Sequence, residues 1–279
     1  MSNSNRNTSI FLIDESESFG GYRSNGIEII ESTIDIYDKE LPIHIGVIDQ
    51  PLRLLDIVPL AQSISEKLCS SVIRHLSVNK QYVPCHKSCC ACCSYLVSLS
   101  LPEVFYLQES LSRMPTDSRN RILRSCIASA KKILDIDVLK RHNLNYSHEM
   151  TRISAWYSEL GIFCPFLSNG TCSIYEKRPF ACREHMVITS PASCKTDRMN
   201  NPEVVSMPVS LLEALGQLSA DLEETEVEAI ILPLALASWN DDDVQRSHRT
   251  WPTKIMAKHF IHILEAMSKK HAAEPAMSE

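Results

Sequence analysis

The chain has 279 residues, a formal charge of −6, 44% hydrophobic and 22% charged residues, enough for one large core or two modest ones and inconsistent with wholesale disorder. It has only 7 glycines, none of them between Gly46 and Gly161, so most of it lacks the clustered glycines of a phosphate-cradling loop. The acidic balance, without a long basic run, excludes general nucleic-acid binding as a first reading.

Residues 1–25 are polar and rich in Ser, Asn and Gly, the composition of a flexible tail. Residues 26–58 form an N-terminal extension. Within it, residues 27–47 alternate as Ile-Glu-Ile-Ile, Ile-Asp-Ile-Tyr and Ile-His-Ile, the period of a small β ribbon. From Pro59 the period becomes helical, with Leu60, Ile64, Leu68, Val72 and Leu76 on one stripe. Ser100 and Glu103 make a capping box ahead of Val104, Leu107 and Leu111, with Pro102 in the first turn. Ile122, Cys126, Ile127, Ala130 and Leu134 mark a third helix. Ile153, Trp156, Tyr157 and Leu160 mark a fourth, stopped by Gly161. Residues 211–218 and 255–267 are helical in pattern too, and residues 271–279 are expected to fray. The predicted fold is therefore mainly α: a helical cysteine-cluster domain over residues 59–200, with residues 201–279 as a C-terminal helical segment packed on it.

The anomaly is the 11 cysteines. No apolar stretch matches a signal-peptide core. The longest later one, residues 229–237, contains Pro233 and is shorter than the ~20 residues of a membrane span. The expected setting is cytoplasmic, where dense cysteines bind metal or do redox work rather than form disulfides. One block is Cys85-His-Lys-Ser-Cys89-Cys90-Ala-Cys92-Cys93. The second holds Cys164, Cys172, Cys182 and Cys194. Both fall between predicted helices, where turns can aim several thiolates inward. Cys92 and Cys93 are neighbours in sequence, so their side chains diverge. Asn169-Gly170 is a tight-turn pair that sets Cys164 and Cys172 on a small hairpin. Cys69 and Cys126 sit on helical apolar stripes and read as core.

The run Cys-x3-Cys-x2-Cys-Cys, then Cys-Pro-Phe-Leu, then Gly-x-Cys-Ser-Ile-Tyr-Glu-x-Arg-Pro-x-x-Cys-Arg resembles the YkgJ-type cysteine-cluster family. The resemblance spans residues 83–194. It rests on Cys85, Cys89, Cys92 and Cys93, then Cys164, Gly170, Cys172, Ile174, Tyr175, Arg178, Pro179, Cys182 and Arg183, with Cys194 matching a later, variably spaced cysteine. The first block departs from the Cys-x2-Cys-x2-Cys-Cys form by one inserted residue and by Cys90. The family is described as zinc- or iron-chelating, or as iron–sulfur-cluster-containing. The resemblance therefore implies a metal or cluster site more firmly than any reaction. The flagellin lysine methylase has a similar cysteine pattern, which adds protein modification to the implied functions.

The ligand set expected from the residues and the resemblance is Cys85, Cys89, Cys92, Cys93, Cys164, Cys172, Cys182 and Cys194. Its metal is an iron–sulfur cluster with a redox or modification role, or alternatively zinc in a structural or interaction module without turnover. Cys85-x3-Cys89-x2-Cys92 is also the spacing of radical S-adenosylmethionine enzymes, a lesser alternative. Ala91 stands where those enzymes usually carry an aromatic, and the following helices do not alternate with strands. Arg178 and Arg183 flank Cys182. They are candidates either to contact the cofactor or an anionic ligand, or to buttress the loop through carbonyls and Glu176 or Glu184. His86 and His185 read as polar loop residues, and His259 and His262 as solvated or capping. Asp241-Asp242-Asp243 reads as a helix N-terminal charge run. The partner implied is a redox or protein partner, with no membrane span.

Overall fold

The computed structural model describes residues 9–14, 19–37, 39–135, 150–195 and 202–273. The rest of the expected tail, residues 1–8 and 15–18, lies outside the described residues, as do residues 274–279 at the end expected to fray. Near the N-terminus, β1 (Ile10–Leu12), β2 (Glu28–Ile36) and β3 (Lys39–Val47) form an antiparallel sheet in the order β1-β3-β2. The β2–β3 register runs from Glu28↔Val47 to Ile36↔Lys39. Period-two alternation turns Ile34, Ile36, Ile43, Ile45 and Val47 to the buried face. The ribbon expected here therefore forms. Part of the segment read as a tail also has a defined place, because β1 pairs with β3 and a short helix α1 (Phe19–Ser24) follows it.

Next come β4 (Pro51–Arg53) and α2 (Val58–Val78). Pro59 stands in the first turn of α2, and Leu60, Ile64, Leu68 and Val72 face the core. The first cysteine loop leads to β5 (Ser98–Ser100) and α3 (Leu101–Ser112), whose capping box joins Ser100 and Glu103. Helix α4 (Thr116–Ile133) buries Ile122, Cys126, Ala130 and Ile133 and leaves Ile127 exposed. Helix α5 (Met150–Glu159) packs Trp156 and Tyr157 with Ile133 and Ile162 in a satellite cluster. The chain then reverses at Gly161, φ +59°.

The second cysteine loop carries β6 (Leu167–Ser168), β7 (Thr171–Cys172) and the short α6 (Phe180–Glu184). After it come α7 (Leu211–Glu223), β8 (Ala229–Ile231), α8 (Leu232–Ala237), α9 (Asp241–Ser247), β9 (Thr250–Pro252) and α10 (Thr253–Ala273). The triple aspartate opens α9 behind the cap residue Asn240, as its charge pattern predicts.

The expectation of a mainly α-helical domain is corrected. Helix covers 53% and strand 17%, in several small sheets, so the fold is mixed α/β. The three-residue strands escaped the sequence reading because none is long enough to show a period. Each is defined by a partner distant in sequence: β4 pairs with β9, β5 with β8. One core cluster runs from Ile10 to Leu264 and crosses the expected segment boundaries. α10 lies against β2, β3 and α7, so the two ends of the chain pack together. No helix among the described residues is long and apolar enough to cross a membrane.

Candidate functional site

The two cysteine loops meet. The Cys164 amide donates to the Cys93 carbonyl at 2.7 Å, and Lys87 pairs with Glu176 at 2.6 Å across the loops. The first loop is a chain of tight turns: Cys89 N–H donates to the His86 carbonyl, Cys93 to Cys90, and Tyr95 to Cys92. In the second loop Asn169 and Gly170 both have positive φ, 50° and 73°, and close the β6–β7 hairpin. That is the turn their sequence predicts.

Aromatic anchors set the second loop into the core. Phe166, two residues after Cys164, and Phe180, two before Cys182, are each 1% exposed. Burying one such ring contributes about 1.5–3 kcal/mol, enough to fix the backbone beside each cysteine. Two buried carboxylates then hold α6 at its ends. Glu103 accepts from Ser100 N–H and Oγ with one oxygen and from Phe180 N–H, at 2.8 Å, with the other. Glu184 accepts from Ser210 Oγ and Leu211 N–H at the start of α7. Burial raises both carboxyls, Glu184 to about 8, against the pull of these donated bonds. Glu103 is legible in sequence as a helix cap. Its grip on α6 is not, because Phe180 is 77 residues away.

The groups that perturb each thiol outline two overlapping neighbourhoods. Burial pushes Cys92 up to about 11, with further contributions from Cys194, Cys89 and Cys85. Cys194 is likewise raised by burial, then by Cys85 and Cys89. Burial takes Cys93 to about 12, with Cys164, Cys92 and Cys172 adding to it. Cys182 is held well above its ordinary value by burial, then by Cys164, Cys92, Cys172 and Cys93. Cys85, Cys89 and Cys194 thus neighbour Cys92, and Cys164, Cys172 and Cys182 neighbour Cys93, but Cys92 also acts on Cys93, Cys164 and Cys182, and Cys90 on Cys93, so the two neighbourhoods overlap at Cys92.

Neutral thiols do not close into a coordination sphere. No group of three or more His, Cys, Asp or Glu side chains among the described residues is placed to hold a metal ion. This corrects the expectation of ready-formed metal-binding loops. The physical reason is that thiols with pKa values of about 11 and 12 are uncharged near neutrality, and thiolates converge only around a cation that offsets their repulsion. The donor chemistry nonetheless suits a soft metal, since burial and crowding penalise the free thiolates of Cys92, Cys93, Cys164, Cys182 and Cys194, and a bound cation would relieve both penalties.

The remaining candidates divide. Cys126 is fully buried in the core and Cys69 is half-buried against it. His86 is exposed and bonds Ser88. His185 is half-buried: it packs edge-on to Tyr95, its Nε2 is buried without a partner among the described residues, and burial lowers its pKa. Tyr95 in turn feels Cys194 and Cys92, so this ring pair borders the first neighbourhood. Nothing in the local sequence marks it. His259 pairs with Asp221 of α7 at 2.6 Å. Arg183 donates Nε to the Arg178 carbonyl at 3.1 Å and an amino group to the Glu176 carbonyl, the buttressing role. Arg178 lies over the Tyr175 ring, 4.2 Å from its centroid.

No family model, no curated protein and no solved structure matches the chain. The family resemblance therefore rests on the cysteine motifs alone.

Proposed function

We propose that the two cysteine loops hold thiolate-ligated iron–sulfur chemistry that serves a redox role towards a protein or small-molecule partner. The observation that carries this reading is the meeting of the two cysteine loops, joined by the Cys164 amide on the Cys93 carbonyl and by Lys87 on Glu176. Cys85, Cys89, Cys92 and Cys194 would form one ligand set, three thiolates from the first loop and one from the second. Cys93, Cys164, Cys172 and Cys182 would form the other, with the proportions reversed. When bound, such a cluster supplies one-electron transfer. The chain's own residues partly bury most of the thiols, leave Cys85 exposed, and fix the loops through Phe166, Phe180, Glu103 and Glu184. The motif resemblance to the YkgJ-type family supports the same reading.

A second reading is zinc in a structural or interaction module. Eight cysteines in the two loops suffice for two closed structural zinc sites, which take four thiolates each. The radical S-adenosylmethionine alternative is disfavoured by the antiparallel pairing of every sheet among the described residues, since those enzymes need parallel βα units. Anaerobic purification with iron, zinc and acid-labile sulfide analysis decides. Iron with sulfide, and a visible band that dithionite bleaches, is the expected result. Stoichiometric zinc without sulfide selects the structural module, and protein that takes up neither metal removes both readings.

A further inference from the structure

A second site lies on the outer side of the second cysteine loop, where that loop faces α2. It is a concavity of about 540 Å³, the size of a small-molecule pocket rather than of a bare ion. Arg178, Arg183 and Lys177 line it, against the carboxylates of Glu66 and Glu176. Glu176 is taken up by Lys87 at 2.6 Å. Among the described residues neither arginine makes an ion pair with a carboxylate. The protein carries a charge of −6 overall, so a concavity with more cations than anions is a local reversal.

The two guanidiniums are held rather than free. Arg178 is stacked on Tyr175, and its Nε is buried without a hydrogen-bond partner among the described residues. Arg183 is fixed through two backbone carbonyls, and the two cations repel one another across the loop. An orphaned buried donor and two pre-positioned like charges are costly as they stand. An oxyanion relieves both costs, because a guanidinium meets phosphate or carboxylate through a planar fork of donors. Gln62 and Ser70 on α2 add polar groups to the wall, and Pro59, Ile73 and Tyr106 add apolar surface.

We propose that this concavity binds a small organic oxyanion, a phosphate or carboxylate ester or acid, with Arg178 and Arg183 on the charged group and Tyr106 and Ile73 beside the organic part. The site does not depend on the metal reading. It shares the Tyr175–Arg183 stretch with Cys182, so occupancy and the cysteine loop bear on each other through that backbone.

The test is calorimetric titration of the full-length protein at constant ionic strength with three probes: inorganic phosphate, phenyl phosphate and phenylacetate. Saturable binding of phenyl phosphate or phenylacetate, tighter than inorganic phosphate, is expected, and the two organic probes separate the phosphate from the carboxylate class. Arg178→Gln should weaken that binding by about tenfold or more, the worth of one charge-assisted hydrogen bond. Arg74→Gln, in a separate basic concavity beside β3, should leave it unchanged. If Arg178→Gln does not fold, Arg178→Lys keeps the charge, loses the fork and should still weaken binding. Absence of saturable binding by both organic probes, or an undiminished affinity in the Arg178 variant, overturns the site. Metal content measured on the same samples keeps this outcome separate from failure of the metal reading.

Discussion

Replacing Glu103 by Gln should loosen the second cysteine loop and destabilise the whole domain. The carboxylate is fully buried and accepts three hydrogen bonds, at 2.9 Å from Ser100 N–H, 2.7 Å from Ser100 Oγ and 2.8 Å from Phe180 N–H. An amide has one acceptor oxygen. If that oxygen keeps the two Ser100 donors, the amide NH2 faces the Phe180 N–H; if it turns, NH2 faces Ser100. Either way at least one buried donor loses its partner, at about 1–3 kcal/mol. Removing a buried ionisable carboxyl offsets part of that, so the net loss should be about 2 kcal/mol. The pH dependence has a definite sign. Burial raises the folded-state pKa of Glu103 above its ordinary value. Its proton-linked contribution is therefore complete below the unfolded pKa and is lost as pH rises through the folded one. Urea unfolding of both proteins between about pH 5 and pH 8 should show a gap that is widest at the acid end and narrows upward. Equal stability throughout would refute the assignment of Glu103 as the buried staple of α6, and a gap that widens with pH would refute the dominance of burial over the three donated bonds.

Cys89→Ser and Cys182→Ser should each lower bound metal, whereas Cys126→Ser should retain it and lose about 1–3 kcal/mol from burying a hydroxyl; full metal in both loop variants, by elemental analysis, would remove the ligand assignment. Gly46→Ala should destabilise the N-terminal sheet by about 1–2 kcal/mol, because the new Cβ would lie 2.5 Å from Phe11 Cζ. Thermal unfolding of the Phe11→Ala, Gly46→Ala double variant should show a non-additive recovery. Arg246→Ala should cost about 2–3 kcal/mol, since the Glu223 side chain is 0% exposed and Arg246 lies 2.7 Å from it. Adding Glu223→Gln should restore part of that loss in chemical denaturation.

What was legible in the sequence follows the range of the interactions. The α2 stripe, the Ser100–Glu103 capping box, the β2–β3 alternation and the Asn169-Gly170 turn are all set by residues within a few positions of one another, and each forms as read. The short strands β4, β5, β8 and β9 were invisible because three residues carry no period, and their pairing is decided by partners about 130–200 residues away. The strand content that corrects the fold class comes partly from these, and partly from β1, whose three apolar residues sit in a polar segment that reads as tail.

The site shows the same division more sharply. Which residues could be ligands is a matter of composition and spacing, and the chain states it directly. Which ligands belong together is not, because Cys92 and Cys93 are consecutive yet are acted on most by different cysteines of the second loop. Adjacent side chains on an extended or turning backbone point apart, and here the cysteine that acts most on Cys92 is Cys194, the last of the second loop, while the one that acts most on Cys93 is Cys164, its first, whose amide donates to the Cys93 carbonyl. That backbone hydrogen bond sets the two loops against one another where the neighbourhoods overlap. A metal bound by either set would close a chain segment of about 70 to 110 residues, where loop-closure entropy grows only slowly with length. The gain from ligation therefore depends less on how far apart the cysteines lie in sequence than on how well Phe166, Phe180, Glu103 and Glu184 have already positioned the second loop.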